Sequence, residues 1–375
     1  MKNTVFKKII LSVIVVAVIL VVLFIVREIA VEIFGYKPPA LSETSQKKSQ
    51  QVEVTLSSEN KYSHIVTDKY IYFVGTDRVI VADSKGANKA ELAIGTANSV
   101  SKSQGKYVIV GDIDGNNIYI IKDTEIKQTI TTKGKIKNFS VNSSGFCVAV
   151  TEGDMGKRNV IAYNTKGEEV FVWDSGNMLV LNAVIAENNK NVIVSAVETK
   201  DGVMKSILNF YNVSKAEPVA SETYEGELIS ALKVNGNYIY CVGDSKTLIY
   251  KVSGNKKSEI SYSGKSVITY EVNNSGIVMA FLESTLTGKR YNIESYTEAG
   301  KKRGTFEYDY DINYLDIADD LIAIDRGGLI SVINYKGREK ALIDPGIDID
   351  DLCFMGNSSK AIGFTAHGAY MFDIK

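Results

Sequence analysis

The chain repeats one pattern of apolar segments and polar turns along most of its length. Residues 236–254 read GNYIYCVGDSKTLIYKVSG and residues 69–86 read KYIYFVGTDRVIVADSKG, so the same order of apolar segment, turn, apolar segment and turn occurs twice. The second turn of the pattern is found at 82–86, 121–125, 163–167, 211–215, 250–254, 296–300, 333–337 and, at the end, 372–375. Because these copies follow at intervals of roughly 36–49 residues, the sequence predicts eight similar units.

The length and composition of the unit predict four short strands. A period of about 40–45 residues is typical of a β-propeller blade. The second strand of each unit, such as YIYFVG or YIYCVG, is apolar at nearly every position, as expected for a strand covered on both faces. Segments after the turns, such as KAELAI and KKSEISY, alternate and carry charge, as outer strands in contact with solvent do. The sequence therefore predicts an all-β fold, an eight-bladed β-propeller, with seven blades as the alternative.

Tyrosine recurs at one position of the unit. Tyr163, Tyr211, Tyr250 and Tyr296 all stand at the end of a predicted third strand. Recurrence at a fixed position of each blade indicates packing, so these side chains are predicted to belong to the core rather than to a ligand site.

The eighth unit lacks a fourth strand. It stops at Lys375 after its third strand, while residues 51–57 (QVEVTLS) form an isolated alternating segment ahead of the first unit. Pairing of residues 51–57 with residues 368–374 would complete the last blade and leave no open sheet edge. The sequence predicts a propeller domain over residues 51–375 that is closed in this way.

A long apolar segment precedes the propeller. Ile9 to Val26 has Ser12 as its one polar residue, and as a helix it would be roughly 27 Å long, close to the thickness of the hydrocarbon layer. The alternative is a cleaved signal peptide, whose apolar region is normally about 7–15 residues and is followed by small residues at a cleavage site. Here REIAVEIFGYKPP follows, so the sequence favours an uncleaved transmembrane helix over residues 9–26 as a membrane anchor.

The distribution of basic residues predicts the orientation of this anchor. Lys2, Lys7 and Lys8 precede the apolar segment, whereas Arg27 and the more distant Lys37 follow it. Because the cytoplasmic side carries the excess of lysine and arginine, we expect residues 1–8 to form a short cytoplasmic tail of a single-pass protein of the cell membrane, with an extracytoplasmic propeller. The polar, aperiodic residues 37–50 are predicted to be a flexible tether.

The repeats, together with the predicted anchor that precedes them, resemble bacterial membrane-anchored β-propellers related to the quinoprotein-like and WD40-like superfamilies. More narrowly, the chain resembles a Gram-positive propeller family of unknown function, over about residues 51–375 plus the anchor. The Trp-Asp pair of WD40 repeats occurs once, at Trp173-Asp174 in a predicted fourth strand. Trp173 is also the sole tryptophan, so the tryptophan-docking repeats of quinoproteins are not matched. The resemblance implies a fold, and neither a quinone nor another cofactor is expected.

Residue types suited to catalysis or metal binding are few. The two histidines, His64 and His367, lie in the first and last units, where ring closure could bring them together, but neither has the spacing of a zinc motif. Cys147, Cys241 and Cys353 are widely spaced and are expected to be small buried residues. No GxSxG motif occurs. The sequence therefore predicts no metal site and names no catalytic residue.

An acidic stretch runs from Glu307 to Asp351, with 12 Asp or Glu against four Lys or Arg. Such residues usually occupy turns and solvated surfaces. The alternative is a binding patch for a cation or a basic partner on blades seven and eight. Its candidate residues are Asp309, Asp311, Asp316, Asp319, Asp320, Asp348, Asp350 and Asp351.

Composition and fold restrict the function only in part. A net charge of −1 provides no basic excess for nucleic acid, and propellers serve as enzymes, receptors and scaffolds alike. The leading hypothesis is a non-enzymatic binding or scaffolding module for an envelope protein or cell-wall polymer. One alternative is an extracytoplasmic hydrolase or lyase using carboxylates or histidines at the mouth of the channel, and another is a cytoplasmic regulator of inverted topology. Convergence of three or more such groups at that mouth favours the enzyme, and scatter around the rim favours the binding module.

Overall fold

A computed structural model describes residues 50–52, 62–153, 156–285, 288–308, 310–356, 359–365 and 368–374. Within these residues, 32 strands form eight antiparallel four-stranded sheets. No helix in the described part of the chain is long and apolar enough to cross a bilayer. The predicted cytoplasmic tail (1–8), the predicted anchor (9–26) and residues 37–49 of the predicted tether lie outside the described residues.

The eight sheets are the blades of a β-propeller, numbered here in chain order. The first strand of the described chain, β1, is Gln50–Val52. Blade 1 contains β2 (Ser63–Val66), β3 (Tyr70–Val74), β4 (Arg78–Asp83) and β5 (Asn88–Ala93), and blade 2 contains β6 (Ser99–Gln104), β7 (Tyr107–Asp112), β8 (Asn117–Lys122) and β9 (Glu125–Thr131). Blade 3 contains β10 (Ile136–Val141), β11 (Cys147–Glu152), β12 (Arg158–Tyr163) and β13 (Glu169–Asp174). Blade 4 contains β14 (Leu179–Ile185), β15 (Asn191–Lys200), β16 (Val203–Asn212) and β17 (Ala220–Glu225).

The remaining blades follow the same order. Blade 5 contains β18 (Ala231–Asn235), β19 (Tyr238–Val242), β20 (Lys246–Lys251) and β21 (Lys256–Ser261), and blade 6 contains β22 (Ser266–Asn273), β23 (Gly276–Thr285), β24 (Gly288–Tyr296) and β25 (Lys302–Tyr308). Blade 7 contains β26 (Leu315–Ala318), β27 (Leu321–Arg326), β28 (Leu329–Asn334) and β29 (Glu339–Ile343). Blade 8 contains β30 (Asp351–Phe354), β31 (Lys360–Thr365) and β32 (Gly368–Asp373), and β1 is its outer strand. The prediction of an all-β, eight-bladed propeller is confirmed.

The burial of the strands follows their position in the blade. Consecutive first strands contact one another from β2 to β30 and so surround the central channel. The second strands are almost wholly buried, with β7 buried at every position after Tyr107. The outer strand β9 alternates between exposed and partly or fully buried residues. Trp173 and Asp174 lie in β13, an outer strand, as predicted.

Eight apolar clusters hold the blades together, and each lies between two consecutive blades. The cluster between blades 8 and 1 includes Val52, Ile71, Phe73, Phe364 and Met371, so the ring is closed by the same kind of packing as elsewhere. The four recurring tyrosines are buried in these clusters, with exposed fractions of 4% or less: Tyr163, Tyr211, Tyr250 and Tyr296. Their predicted role in the core is confirmed.

The last blade takes its outer strand from the beginning of the domain. Strand β1 pairs with β32 in antiparallel register, with Gln51 opposite Tyr370 and Val52 opposite Ala369. The predicted pairing of residues 51–57 with 368–374 is therefore observed at residues 51 and 52 and begins one residue earlier, whereas residues 53–57 lie outside the described residues. The Val52 side chain is 2% exposed and packs into the cluster between blades 8 and 1.

The two faces of the ring differ in their loops. The first face carries the connections between blades and the hairpins that join second and third strands, and the second face carries the other hairpins. The second and third strands are ten residues each in blade 4, and ten and nine in blade 6. In the other six blades these strands have five or six residues. Two hairpins therefore project on the first face, on either side of blade 5.

Replacement of Val52 by aspartate should destabilise the closed ring. The change would place an unpaired carboxylate in the cluster between blades 8 and 1, at a cost of about 3 kcal/mol or more. Thermal unfolding followed by circular dichroism should show a lower midpoint. The matched control is Val172→Asp, also in an outer strand, where the valine is 58% exposed. Equal midpoints for the two variants would contradict the proposed contribution of β1.

Candidate functional site

The first strands of six blades bring ionisable side chains to the wall of the central channel. In β26 and β30, buried residues alternate with half-buried ones, and Asp316 and Asp351 belong to the half-buried set. The groups are close enough to influence one another: the charge of Lys233 acts on Lys102, and the charge of Glu271 acts on Asp316. The channel residues are His64, Lys102, Lys233, Glu271, Asp316 and Asp351.

The carboxylate of Asp316 connects blade 7 to blade 8. Its Oδ1 accepts the backbone N–H of Ile317 at 2.8 Å, and its Oδ2 accepts the backbone N–H of Phe354, in β30, at 2.6 Å. The pKa of Asp316 is raised to about 7, chiefly by burial and also by the nearby charges of Glu271 and Asp351, against the lowering effect of the two N–H groups. This carboxyl group therefore changes its charge near neutral pH.

The carboxylate of Asp351 connects blade 8 to blade 1. Its Oδ1 accepts the backbone N–H of Leu352 at 2.8 Å, and its Oδ2 lies 2.7 Å from Nε2 of His64. A tautomer of His64 with its proton on Nε2 can donate this hydrogen bond to the carboxylate. The imidazole also stacks on the ring of Phe364, with 3.6 Å between centroids and 11° between planes. His64 is thus held by two contacts with blade 8.

The basic groups of the channel are placed in the same manner. Lys102 Nζ donates to Asn138 Oδ1 at 2.6 Å and to the carbonyl oxygen of Phe139 at 2.8 Å. Asn138 in turn donates to the carbonyl oxygen of Leu181 at 3.0 Å, so blades 2, 3 and 4 are connected. Burial, together with the smaller effect of the charge of Lys233, lowers the pKa of Lys102 to about 8.

Glu271 adds a third carboxylate to the channel wall. Burial raises its pKa, as does the charge of Asp351, while Lys233 and the backbone N–H of Val272 lower it. The described residues contain no group of three or more His, Cys, Asp or Glu side chains able to hold a metal ion. The channel is therefore lined by interacting acidic and basic groups, and the chemistry available to its described residues is proton transfer and ionic binding.

The structure separates the eight aspartates that the acidic stretch suggested. Asp316 and Asp351 lie at the channel, and Asp309 lies outside the described residues, as does His367. Three others are exposed in the connections between blades on the first face: Asp311, Asp348 and Asp350. Asp319 and Asp320 are exposed in the hairpin between β26 and β27, on the second face. These aspartates do not form one continuous surface.

Sequence reasoning missed the channel residues Lys102, Lys233 and Glu271. Each lies in a first strand, where the surrounding residues gave no repeated signal at that position. The ring geometry brings them together, because residues from different blades are more than 30 positions apart in the sequence. A search for charged residues in every predicted first strand would have found them.

The buried position predicted for the three cysteines is found for two of them. Cys147 and Cys241 are buried, Cys353 is half-buried, and all three are free thiols. Burial raises the pKa of Cys147 to about 12 and raises the pKa of Cys353 well above its usual range. These thiols are therefore protonated at neutral pH and poor nucleophiles.

Residues 42–369 match a family described as "Family of unknown function (DUF5711)". The chain belongs to this family. Because the match spans most of the chain, the predicted membership of a propeller family of unknown function is confirmed. No curated protein matches the chain.

Solved structures of low sequence identity share the architecture of this DUF5711 member. The C-terminal WD40 domain of Sif2 has a TM-score of 0.59 and 10% identity, over 87% of this chain and 97% of that one. A eukaryotic initiation factor has a TM-score of 0.56 and 12% identity, over 90% of this chain and 88% of that one. BamB from Moraxella catarrhalis has 13% identity and a TM-score of 0.49, over 86% and 97%. At such identities the first two show a common propeller fold.

Replacement of Asp316 by asparagine should change how stability depends on pH. The folded protein holds the Asp316 proton up to about pH 7, whereas an unfolded chain releases it near pH 4. Between these values the native state binds more protons, so this group makes the free energy of unfolding fall as pH rises, with no further loss above pH 7. Asp316→Asn should remove that part of the decrease, which is about 1.4 kcal/mol for each unit of pKa difference.

Urea unfolding of both proteins at several pH values between 4 and 8 measures this effect. The difference in unfolding free energy, variant minus parent, should increase with pH up to about pH 7 and then level off. Asp350→Asn, which removes the charge of an exposed aspartate, is the matched control. Curves for the Asp316 variant and the parent that stay parallel would show that the proton on Asp316 is not linked to folding.

Proposed function

We propose that this DUF5711 protein is a membrane-anchored, non-enzymatic binding or scaffolding module of the cell envelope. In this proposal residues 9–26 span the cell membrane, residues 1–8 stay in the cytoplasm, and the propeller lies outside on its tether. The partner is an envelope protein or a cell-wall polymer. The apolar segment and the excess of Lys2, Lys7 and Lys8 on its amino side support this arrangement.

The observation that carries the proposal is the structural use of the channel carboxylates. Both oxygens of Asp316 accept backbone N–H groups, one of them from the next blade. Both oxygens of Asp351 are also engaged, one of them with His64 across the closure of the ring. A general acid or base must be able to reach a proton of the substrate. Groups engaged in holding blades together are better explained as parts of a rigid binding platform.

The exposed aspartates of the first face indicate the chemistry of one partner. Asp311 lies between blades 6 and 7, and Asp348 and Asp350 lie between blades 7 and 8. This acidic sector would attract a partner with basic groups and would accelerate its association. A basic surface of an envelope protein, or a polymer carrying amino groups, has the required charge.

A hydrolase or lyase is the second candidate, and one observation favours it. His64, Glu271, Asp316 and Asp351 converge on the channel, which is the arrangement expected of the enzyme. The pKa of Asp316, about 7, would also suit an acid or base that works at neutral pH. In this alternative Asp316 transfers the proton, and its pKa is raised by burial and, to a smaller extent, by the charge of Glu271.

The binding proposal is tested by crosslinking on intact bacterial cells that produce the tagged full-length chain. A membrane-impermeant crosslinker should join the propeller to an envelope component, and external protease should remove the propeller from intact cells. The triple variant Asp311→Asn, Asp348→Asn, Asp350→Asn should lower the yield of the crosslinked product severalfold, because it removes three charges from the acidic sector. Glu169→Gln, Glu217→Gln, Glu222→Gln is the control, since these exposed residues lie at the rim of blades 3 and 4.

Crosslinking of an Asp316 variant and a cell-wall breakdown assay together distinguish the binding module from the enzyme. Asp316→Asn should leave the crosslinked yield unchanged if the channel carboxylates are structural. Breakdown of isolated cell-wall material by the parent protein, lost in a folded Asp316→Asn variant, would establish the enzyme instead. A propeller resistant to external protease on intact cells, but cleaved after lysis, would refute the extracytoplasmic location.

A further inference from the structure

A polar cavity opens on the second face between blades 5 and 6, away from the acidic sector and the channel mouth. Its volume is about 310 Å³, at the lower end of the range for ligand pockets. The cavity is lined by residues of β19, of the hairpins β22–β23 and β24–β25 in blade 6, and of the start of β25. These residues are Tyr238, Asn274, Thr297, Glu298, Ala299 and Arg303. We propose that this cavity binds a small hydroxyl-rich unit that carries an oxyanion, such as a polyol phosphate or a sugar carboxylate.

The wall of the cavity is held in place before any ligand arrives. The hydroxyl of Tyr240 donates to the carbonyl oxygen of Glu298 at 3.2 Å, and the hydroxyl of Ser258 donates to that of Ala299 at 2.6 Å. Both donors belong to blade 5, so the hairpin of blade 6 is fixed against its neighbour. Gly300 makes this approach possible, because its φ is 82° and a Cβ there would lie 2.4 Å from Ser258 Oγ.

Aromatic rings orient two cations, of which Arg303 lines the cavity and Lys251 lies against a lining tyrosine. Lys251 Nζ lies 3.5 Å from the ring centroid of Tyr238, which lines the cavity. The guanidinium of Arg303 lies 5.3 Å from the ring centroid of Tyr335, whose hydroxyl donates to Asn273 Oδ1 at 3.1 Å. Cation–π contacts restrict the side chains without neutralising them. The positive charge at this site is therefore placed from blade 5 and from blade 6.

The lining as a whole indicates the ligand class. An arginine guanidinium binds phosphate or carboxylate through two parallel hydrogen bonds. Asn274, Thr297 and Tyr238 contribute amide and hydroxyl groups that suit the hydroxyls of a sugar or polyol, and the carboxylate of Glu298 can accept from such hydroxyls. Glu298 and Arg303 are the two charged residues of the lining, and Lys251 adds a positive charge beside the lining residue Tyr238. An anion with several hydroxyls fits this combination better than a neutral sugar.

Binding to the purified full-length chain in detergent tests the assignment. Isothermal titration should detect glycerol 3-phosphate and glucuronate, and affinities for glycerol and glucose should be about tenfold weaker because they lack the charge-assisted bonds to Arg303. Inorganic phosphate should also bind less tightly than glycerol 3-phosphate, since it lacks the carbon-bound hydroxyls. A separate titration with isolated cell-wall polymer tests whether the ligand is a unit of a polymer or a free small molecule.

Arg303→Met should weaken glycerol 3-phosphate binding about tenfold while retaining an unbranched side chain that can pack on Tyr335. Lys166→Met is the matched control, because Lys166 is exposed in the hairpin between β12 and β13, on the same face of the ring in blade 3. Asn274→Ala provides a second test of the site if the arginine variant fails to fold. Any one of four results would overturn the assignment. Glycerol could bind as tightly as glycerol 3-phosphate, or inorganic phosphate could bind as tightly as this ester. The anions could fail to bind, or both cavity variants could retain the parent's affinity for glycerol 3-phosphate. The crosslinking assay on cells would be unaffected by that failure.

Discussion

Packing of each blade against both of its neighbours is the interaction on which the whole molecule depends. The middle strands of a blade bury side chains on both faces, and no single four-stranded sheet can cover two apolar faces by itself. The eight interblade clusters solve this problem only if the series of blades returns to its start. Strand β1 and Val52 are therefore as important to blade 1 as to blade 8, because an open ring would expose an apolar face at each end.

The polar wall of the channel follows from the same geometry. The first strands surround the axis, and their half-buried positions carry charged side chains such as Asp316 and Asp351. Polar groups in such a position need partners, and they find them mostly on the adjacent blade. Asp316 reaches Phe354, Asp351 reaches His64, and Asn138 reaches Leu181. Charge near the axis thus adds directional bonds to contacts that are otherwise apolar and non-directional.

Much of the fold could be predicted because it repeats. The buried second strands, the charged outer strands and the recurring tyrosines gave the same signal in each unit, and the missing fourth strand indicated how the ring closes. The functional site was harder to predict from the sequence. Glu271, Asp316 and Asp351 lie on three separate blades, and no local pattern marks residues that meet only at an axis. The cavity beside Arg303 depends on how one hairpin rests on blade 5, and the sequence shows no trace of that contact.

The extended hairpins of blades 4 and 6 remove the rotational equivalence that eight similar blades would otherwise have. A flat disc of near-identical sectors presents almost the same outline after each turn of one blade, so a partner could settle in several angular positions. With two raised edges beside blade 5, one angular setting differs from the other seven. Any molecule that touches both edges is thereby aligned with the channel beneath it.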